Sequence, residues 1–181
     1  MMGPSRDDAL QKRLTSVLRV VPDFPRPGIS FKDITPLLAR ADLFRDVIVA
    51  MSEPWSADAI THVAGVESRG FILAAPIAIA LGAGFIPLRK AGKLPWRTLG
   101  QTYALEYGTD RLEMHVDACP APARVLLVDD VLATGGTAGA ACDLIEQGGG
   151  TLIGCSFLLA IPGLGGTTRL GGRRSITLLA D

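Results

Sequence analysis

Apolar positions along this chain alternate between two spacings. Leu10, Leu14, Val17 and Leu18 recur at intervals of three and four, which places them on one face of a helix, with Ser5 and Asp8 in capping-box positions at its start. Residues 42–55 repeat the helical pattern through Leu43, Val47 and Met51. Short apolar runs at 60–66, 85–88, 125–128, 152–160 and 175–179 show little polar alternation, as expected of strands covered on both faces. Helical stretches at 71–81 and 138–147 fall between them, and residues 101–107 and 111–116 read as a hairpin around Gly108, Thr109 and Asp110. Such strand and helix units predict an α/β fold with a mostly parallel central sheet flanked by helices. Residues 148–150 and 163–172 read as turns, and with no internal repeat or linker the chain is expected to form one domain over 1–181.

Composition narrows the function classes. Lys and Arg total 18 and Asp and Glu total 18, so the chain lacks the basic balance of a general nucleic-acid binder. Residues 71–88 are uncharged over 18 positions, long enough to raise a membrane span, but Pro76, Gly82, Gly84 and Pro87 interrupt them. A buried helix followed by a buried strand is the expected arrangement. Cys119, Cys142 and Cys155 are too scattered for a disulfide framework or a Cys-x-x-Cys metal site, and read as small buried hydrophobes in a reducing compartment. The first eight residues lack the apolar core of a signal peptide, so a cytoplasmic protein is expected.

The candidate chemistry concentrates at 125–137. The apolar run ends in Asp129 and Asp130, then Val131 and Leu132 lead into Ala133, Thr134, Gly135, Gly136 and Thr137 at the start of a helix. The carboxyl end of a parallel strand is where ligands bind in open α/β sheets. Free backbone N–H groups at a helix start, two hydroxyls and glycines without Cβ atoms suit a closely approaching phosphate. The two carboxylates repel an anion and instead ask for hydroxyl groups or a metal beside it. A ribose 5-phosphate meets both demands; a tight strand-to-helix turn with capping Asp and Thr side chains is the alternative. No G-x-x-x-x-G-K-[ST] loop occurs, and no G-x-G-x-x-G follows a strand.

This stretch resembles the phosphoribosyl-diphosphate motif of the type I phosphoribosyltransferases: an apolar strand, two acids, two variable residues, then Ala-Thr-Gly-Gly-Thr. Residues 22–36, 65–71 (Gly-Val-Glu-Ser-Arg-Gly-Phe) and 103–108 (Tyr-Ala-Leu-Glu-Tyr-Gly) look like the members that use adenine. The resemblance implies the type I phosphoribosyltransferase fold, with a small hood from the N-terminal segment and a mobile loop over the site. It also implies transfer of phosphoribose from 5-phosphoribosyl 1-diphosphate to adenine, giving AMP and diphosphate, in a homodimer of purine salvage. Mg²⁺ is the implied cofactor, bound mainly by substrate oxygens and waters, with Asp129 and Asp130 reaching it through water.

Other residues gain roles by the same route. Arg89, Lys90, Lys93 and Arg97 place four cations within nine residues, which on their own suit either a diphosphate site or a solvated basic loop. The resemblance makes Arg89, Lys90 and Lys93 the start of the closing loop, in which Trp96 and Arg97 are less usual. Arg69 follows a strand end and is either a diphosphate clamp or the partner of Glu67 or another acid; the resemblance favours the clamp. It also implies a cis peptide between Glu67 and Ser68. Glu106, otherwise a surface glutamate, becomes the general acid/base beside the purine, and Tyr107 helps close the site. Adenine is expected to stack on Phe31, to meet the main chain of Ser30 and Lys32, and to be covered by Val131. Ser30 stands where an apolar residue is more usual, and Lys32 where an arginine is. His62 and His115 lack partners at metal or triad spacing and read as structural or exposed.

Two rivals share some of these features. A transferase for guanine, hypoxanthine or xanthine would keep the 129–137 cradle but not the stretches around Phe31 and Glu106 in this form. A DNA-binding sensor of phosphoribosyl diphosphate would need a helix-turn-helix module, for which the roughly twenty residues before Pro22 are too few.

Overall fold

The computed structural model describes residues 6–104 and 108–180. Contacts divide them between two compact units, 1–49 and 50–181.

In the first unit, α1 (Arg6–Val17) buries Leu10 and Leu14 of the four apolar positions that the helical spacing marks; Val17 is half-buried at its last turn and Leu18 lies past its end. Its proposed cap at Ser5 lies outside the described residues. Two three-residue strands, β1 (Arg19–Val21) and β2 (Phe31–Asp33), pair antiparallel, and a four-residue helix follows as α2 (Thr35–Leu38). The sequence reading contained none of these three, because elements this short complete neither a strand alternation nor a helical turn and a half. Helix α3 (Ala41–Ser52) crosses the boundary between the units, with Leu43, Val47 and Met51 at no more than 1% exposure. It stops before residue 55 because Pro54 lacks an N–H, and the last three residues of the expected helix become a 3₁₀ turn, Glu53–Trp55.

The second unit is built on a seven-stranded sheet. Its strands are β3 (His62–Val66), β4 (Gly84–Lys90), β5 (Thr98–Ala104), β6 (Thr109–His115), β7 (Arg124–Leu132), β8 (Thr151–Ala160) and β9 (Ser175–Ala180), in the order β5-β6-β4-β3-β7-β8-β9. Strands β4, β3, β7, β8 and β9 run parallel, and the β5–β6 hairpin joins them antiparallel along β4. Three helices complete the unit: α4 (Arg69–Leu81), α5 (Gly136–Gln147) and the four-residue α6 (Gly166–Arg169), which interrupts the stretch read as a turn. Residues 71–88 accordingly divide into α4 and β4, and among the described residues no helix is long and apolar enough to cross a membrane.

The apolar run at 125–128 is completely buried, as are Phe157, Leu158 and Leu159 of β8, Leu73 and Ile77 of α4, and Leu144 of α5. Full burial of each such side chain stabilises the fold by about 1.5–3 kcal/mol. All three cysteines are buried and free, with the Cys142 and Cys155 sulfurs 3.6 Å apart in this core. Trp55 is also fully enclosed, with the Arg174 guanidinium 4.2 Å above its ring. His62 lies beside Gly84 with its Nδ1 2.9 Å from Thr61 Oγ1, a structural placement.

Register brings one edge of this sheet into focus. Gly65 pairs with Pro87 on one side and Val128 on the other, so residues 67–70, 89–90 and 129–130 come level at the carboxyl ends of β3, β4 and β7.

Candidate functional site

Strand β7 corrects the expected position of the acids. It does not end at Val128 but continues through Asp129 and Asp130 to Leu132, because the ten-residue β8 goes on pairing alongside it, Asp129 with Phe157 and Leu132 with Ala160. The carboxylates are therefore mounted on a rigid strand. Asp130 is only 3% exposed, and Asp129 is half-buried with Oδ1 accepting the Asp130 N–H at 2.9 Å. Burial first, and then the neighbouring carboxylate, pushes the Asp129 pKa well above its ordinary value. Asp130 is raised by burial too, against the pull of Arg69, whose Nε lies 2.7 Å from Asp130 Oδ2.

Arg69 opens α4, directly after the Glu67–Ser68 peptide, which is cis as the resemblance implied. Its acid is Asp130 and not Glu67. Gly70 lets this helix start approach β7: a Cβ there would stand 2.7 Å from Asp129 Oδ1 and 3.2 Å from the Val128 carbonyl. Gly70→Ala is expected to cost about 1–3 kcal/mol, because the β7 backbone and the Asp129 carboxylate must give way together. Thermal denaturation checks this, and an unchanged Tm would mean that the helix start adapts freely.

The loop after β7 turns through Gly135, whose φ of +77° belongs to the left-handed region, and α5 begins at Gly136. The carbonyl of Gly135 already accepts the Gly139 N–H at 2.8 Å, leaving the first-turn N–H groups directed out of the helix end. From below, α6 supports the loop. A Cβ on Gly135 would meet the Gly166 carbonyl at 2.6 Å and Arg169 Cβ at 2.9 Å, and one on Gly166 would collide with the Ala133 carbonyl. Beside the loop is a cavity of about 250 Å³ lined by Gln101, Thr102, Tyr103, Gly135, Gly136 and Arg169, among others.

The cations of β4 and the following turn form a second cluster. Glu67 accepts hydrogen bonds from Arg89 Nε at 3.3 Å and from the Lys90 N–H at 3.1 Å, and pairs with Lys93 Nζ. Burial pushes the Glu67 pKa up, but Lys93, the Lys90 N–H and Arg89 outweigh it and hold the carboxyl below its ordinary value. Lys90 Nζ lies 3.1 Å from Asp110 Oδ2, to which the Tyr103 hydroxyl also donates at 3.4 Å. Trp96, in the same turn, is 63% exposed.

The structure thus brings Arg69 to Asp130, and Arg89 and Lys93 to one carboxylate, and places Ala133, Thr134, Gly135, Gly136 and Thr137 around a helix start. Val131 is half-buried on β7. In the first unit, Phe31 and Lys32 form part of β2, Ser30 is exposed, and the Phe31 ring meets Phe24 edge-on at 5.1 Å. Glu106 and Tyr107 lie outside the described residues. Sequence reasoning missed the gathering role of Glu67, the parts played by Asp110 and Tyr103, and the support from Gly166 and Arg169. The hairpin itself needs correcting: Thr109 and Asp110, expected in its turn, open β6, and this register rather than the expected one sets Tyr103 opposite Asp110.

Comparison with known proteins agrees with this geometry. The family model described as phosphoribosyl transferase domain matches residues 32–165. An adenine phosphoribosyltransferase of Myxococcus xanthus is 57% identical over 173 residues, covering 96% of this chain and 94% of its own. The crystal structure of adenine phosphoribosyltransferase from Rhodothermus marinus superposes with a TM-score of 0.92 at 50% identity, covering 96% of this chain and 99% of that one. The Saccharomyces cerevisiae enzyme, complexed with an imino-altritol bisphosphate and adenine, gives 0.89 at 38% identity, covering 94% and 99%. An acid pair on a buried strand, a glycine turn opening a helix, and this extent of shared sequence and fold have one explanation: the chain belongs to the adenine phosphoribosyltransferase family.

Proposed function

We propose that this protein transfers the 5-phosphoribosyl group from 5-phosphoribosyl 1-diphosphate to adenine, forming AMP and diphosphate. The observation that carries the reading is the β7–α5 junction, where two adjacent carboxylates precede a left-handed glycine and the open N–H groups of a helix start. The backbone of 133–137 and the hydroxyls of Thr134 and Thr137 take the 5-phosphate. Asp129 and Asp130 accept the ribose hydroxyls. Arg69, Arg89, Lys90 and Lys93 neutralise the diphosphate as the anomeric carbon loses its oxygen and gains N9 of the base. Glu106 serves as general acid/base for the ring proton that adenine gives up, with Tyr107 closing the site. Adenine binding is assigned to Ser30, Phe31, Lys32 and Val131.

The donor set fits Mg²⁺ held chiefly by substrate. Among the described residues no three His, Cys, Asp or Glu side chains form a cage, yet Asp129 and Asp130 present adjacent carboxylates that reach a hydrated cation through water. Such an ion adds positive charge at the departing diphosphate. Removal of Mg²⁺ with a chelator therefore abolishes turnover in this reading. The whole chain serves as one phosphoribosyltransferase domain of a cytoplasmic homodimer in purine salvage, supported by near full-length matches to relatives of that name.

The decisive experiment offers adenine, hypoxanthine, guanine and xanthine in parallel, with Mg²⁺ and 5-phosphoribosyl 1-diphosphate, and follows nucleotide formation. AMP from adenine alone is the expected outcome. Turnover of a 6-oxopurine would overturn the base assignment, and binding of the diphosphate without any turnover would point to a sensor.

A further inference from the structure

Each cation assigned above to the diphosphate already has a carboxylate. Glu67 gathers Arg89, Lys93 and the Lys90 N–H; Asp110 holds the Lys90 ammonium; Asp130 faces Arg69. Glu113 adds a fourth tie, accepting the Gly92 N–H at 2.9 Å. The turn that follows β4 is thus fastened to the end of β3 and to the β5–β6 hairpin by the protein's own carboxylates.

Asp110 connects further than the others. It lies opposite Tyr103 at the turn-proximal end of the hairpin ladder, accepts that residue's hydroxyl, and takes the Arg111 N–H at 2.8 Å on its other oxygen. Thr137, in the loop assigned to the 5-phosphate, interacts with the same Tyr103 hydroxyl. Lys90, Asp110, Tyr103 and Thr137 therefore form a chain whose two ends are both assigned to the same substrate. An incoming diphosphate competes with the internal carboxylates for the cations, because two anions do not share one ammonium without repulsion.

We propose that Glu67 and Asp110 are positioning residues that act as internal surrogates for the diphosphate: they hold Arg89, Lys90 and Lys93 through ion pairs and give them up to phosphate oxygens on binding. Release of Lys90 from Asp110 then loosens the turn-proximal end of the β5–β6 ladder, so that substrate arrival is felt along the hairpin. This inference rests on the assignment of those cations to the diphosphate.

Asp110→Asn tests it, since it keeps the size and the acceptor for Tyr103 but removes the charge. Calorimetric titration with 5-phosphoribosyl 1-diphosphate and Mg²⁺ at low salt is expected to give a Kd about two- to fivefold tighter than wild type, the scale of an exposed ion pair. The difference shrinks as salt rises. In turnover, KM for the diphosphate substrate and kcat both fall, a split that damage to the fold would not produce. Glu67→Gln is expected to tighten binding in the same way through Arg89 and Lys93. Unchanged or weaker binding in both variants overturns the proposal. Lys90→Ala separates this from the reading beneath it: weaker binding that Asp110→Asn no longer alters supports both, whereas affinity equal to wild type removes Lys90 from the diphosphate site whatever Asp110 does.

Discussion

Asp129→Asn is expected to lower kcat/KM for 5-phosphoribosyl 1-diphosphate by roughly 10²–10⁴-fold while raising Tm at neutral pH. The loss follows from the two charge-assisted hydrogen bonds proposed between Asp129 and the ribose hydroxyls, each worth about 1.5–3 kcal/mol. The gain follows from burial. In the folded protein the Asp129 carboxyl is raised well above its ordinary value, by enclosure and by Asp130 beside it. An acid whose pKa is higher folded than unfolded binds more protons in the native state, so stability falls as pH climbs from the unfolded value, about 4, through the folded one. Asparagine keeps the shape and an acceptor for the Asp130 N–H without that charge. Scanning Tm against pH should show the variant above wild type near pH 7 and level with it below about pH 4. A variant less stable at pH 7, or one within tenfold of wild-type activity, would mean that the carboxylate is neither strained by its surroundings nor bound to substrate.

Gly135→Val should be almost as damaging, for backbone reasons. Valine at φ +77° costs about 1–3 kcal/mol, and its Cβ would stand 2.6 Å from the Gly166 carbonyl and 2.9 Å from Arg169 Cβ. Overpacking adds a similar amount. Together they amount to about 3 kcal/mol or more, a fall in Tm on the order of 10 °C for a chain this size. The loop must also move away from α6, which turns the helix-start N–H groups off the phosphate and raises KM by about tenfold or more. Gly149→Ala supplies the comparison: its φ is +85° but nothing lies within 4 Å of the added atom, so only the conformational part, about 1 kcal/mol, should appear. Equal losses at both positions would remove α6 from the explanation.

The turn through 133–137 into α5, the helices with Leu14 and Val47 on their buried faces and the parallel strands were legible because each repeats a local period or a known spacing. The continuation of β7 through Asp129 and Asp130 was not, since polar residues at a strand end look like a loop until the length of β8 is known. Helix α6 spans only Gly166–Arg169 and carries no apolar rhythm. Glu67 escaped notice for a different reason: its partners Arg89 and Lys93 lie 22 and 26 positions away, and only the parallel pairing of β3 with β4 brings them alongside. Arg69 illustrates the limit of nearest-neighbour guessing. Glu67 or another acid was open as its partner, and the sheet supplied Asp130 from the neighbouring strand.

The chain's two tryptophans sit in opposite surroundings, Trp55 sealed beneath Arg174 and Trp96 extended into solvent from the cationic turn. One indole is therefore expected to emit as a shielded background, and the other to report from the segment proposed to meet the diphosphate. The protein carries a built-in fluorescent gauge of that segment, and a shift of its long-wavelength emission on titration would time the turn's movement without any label.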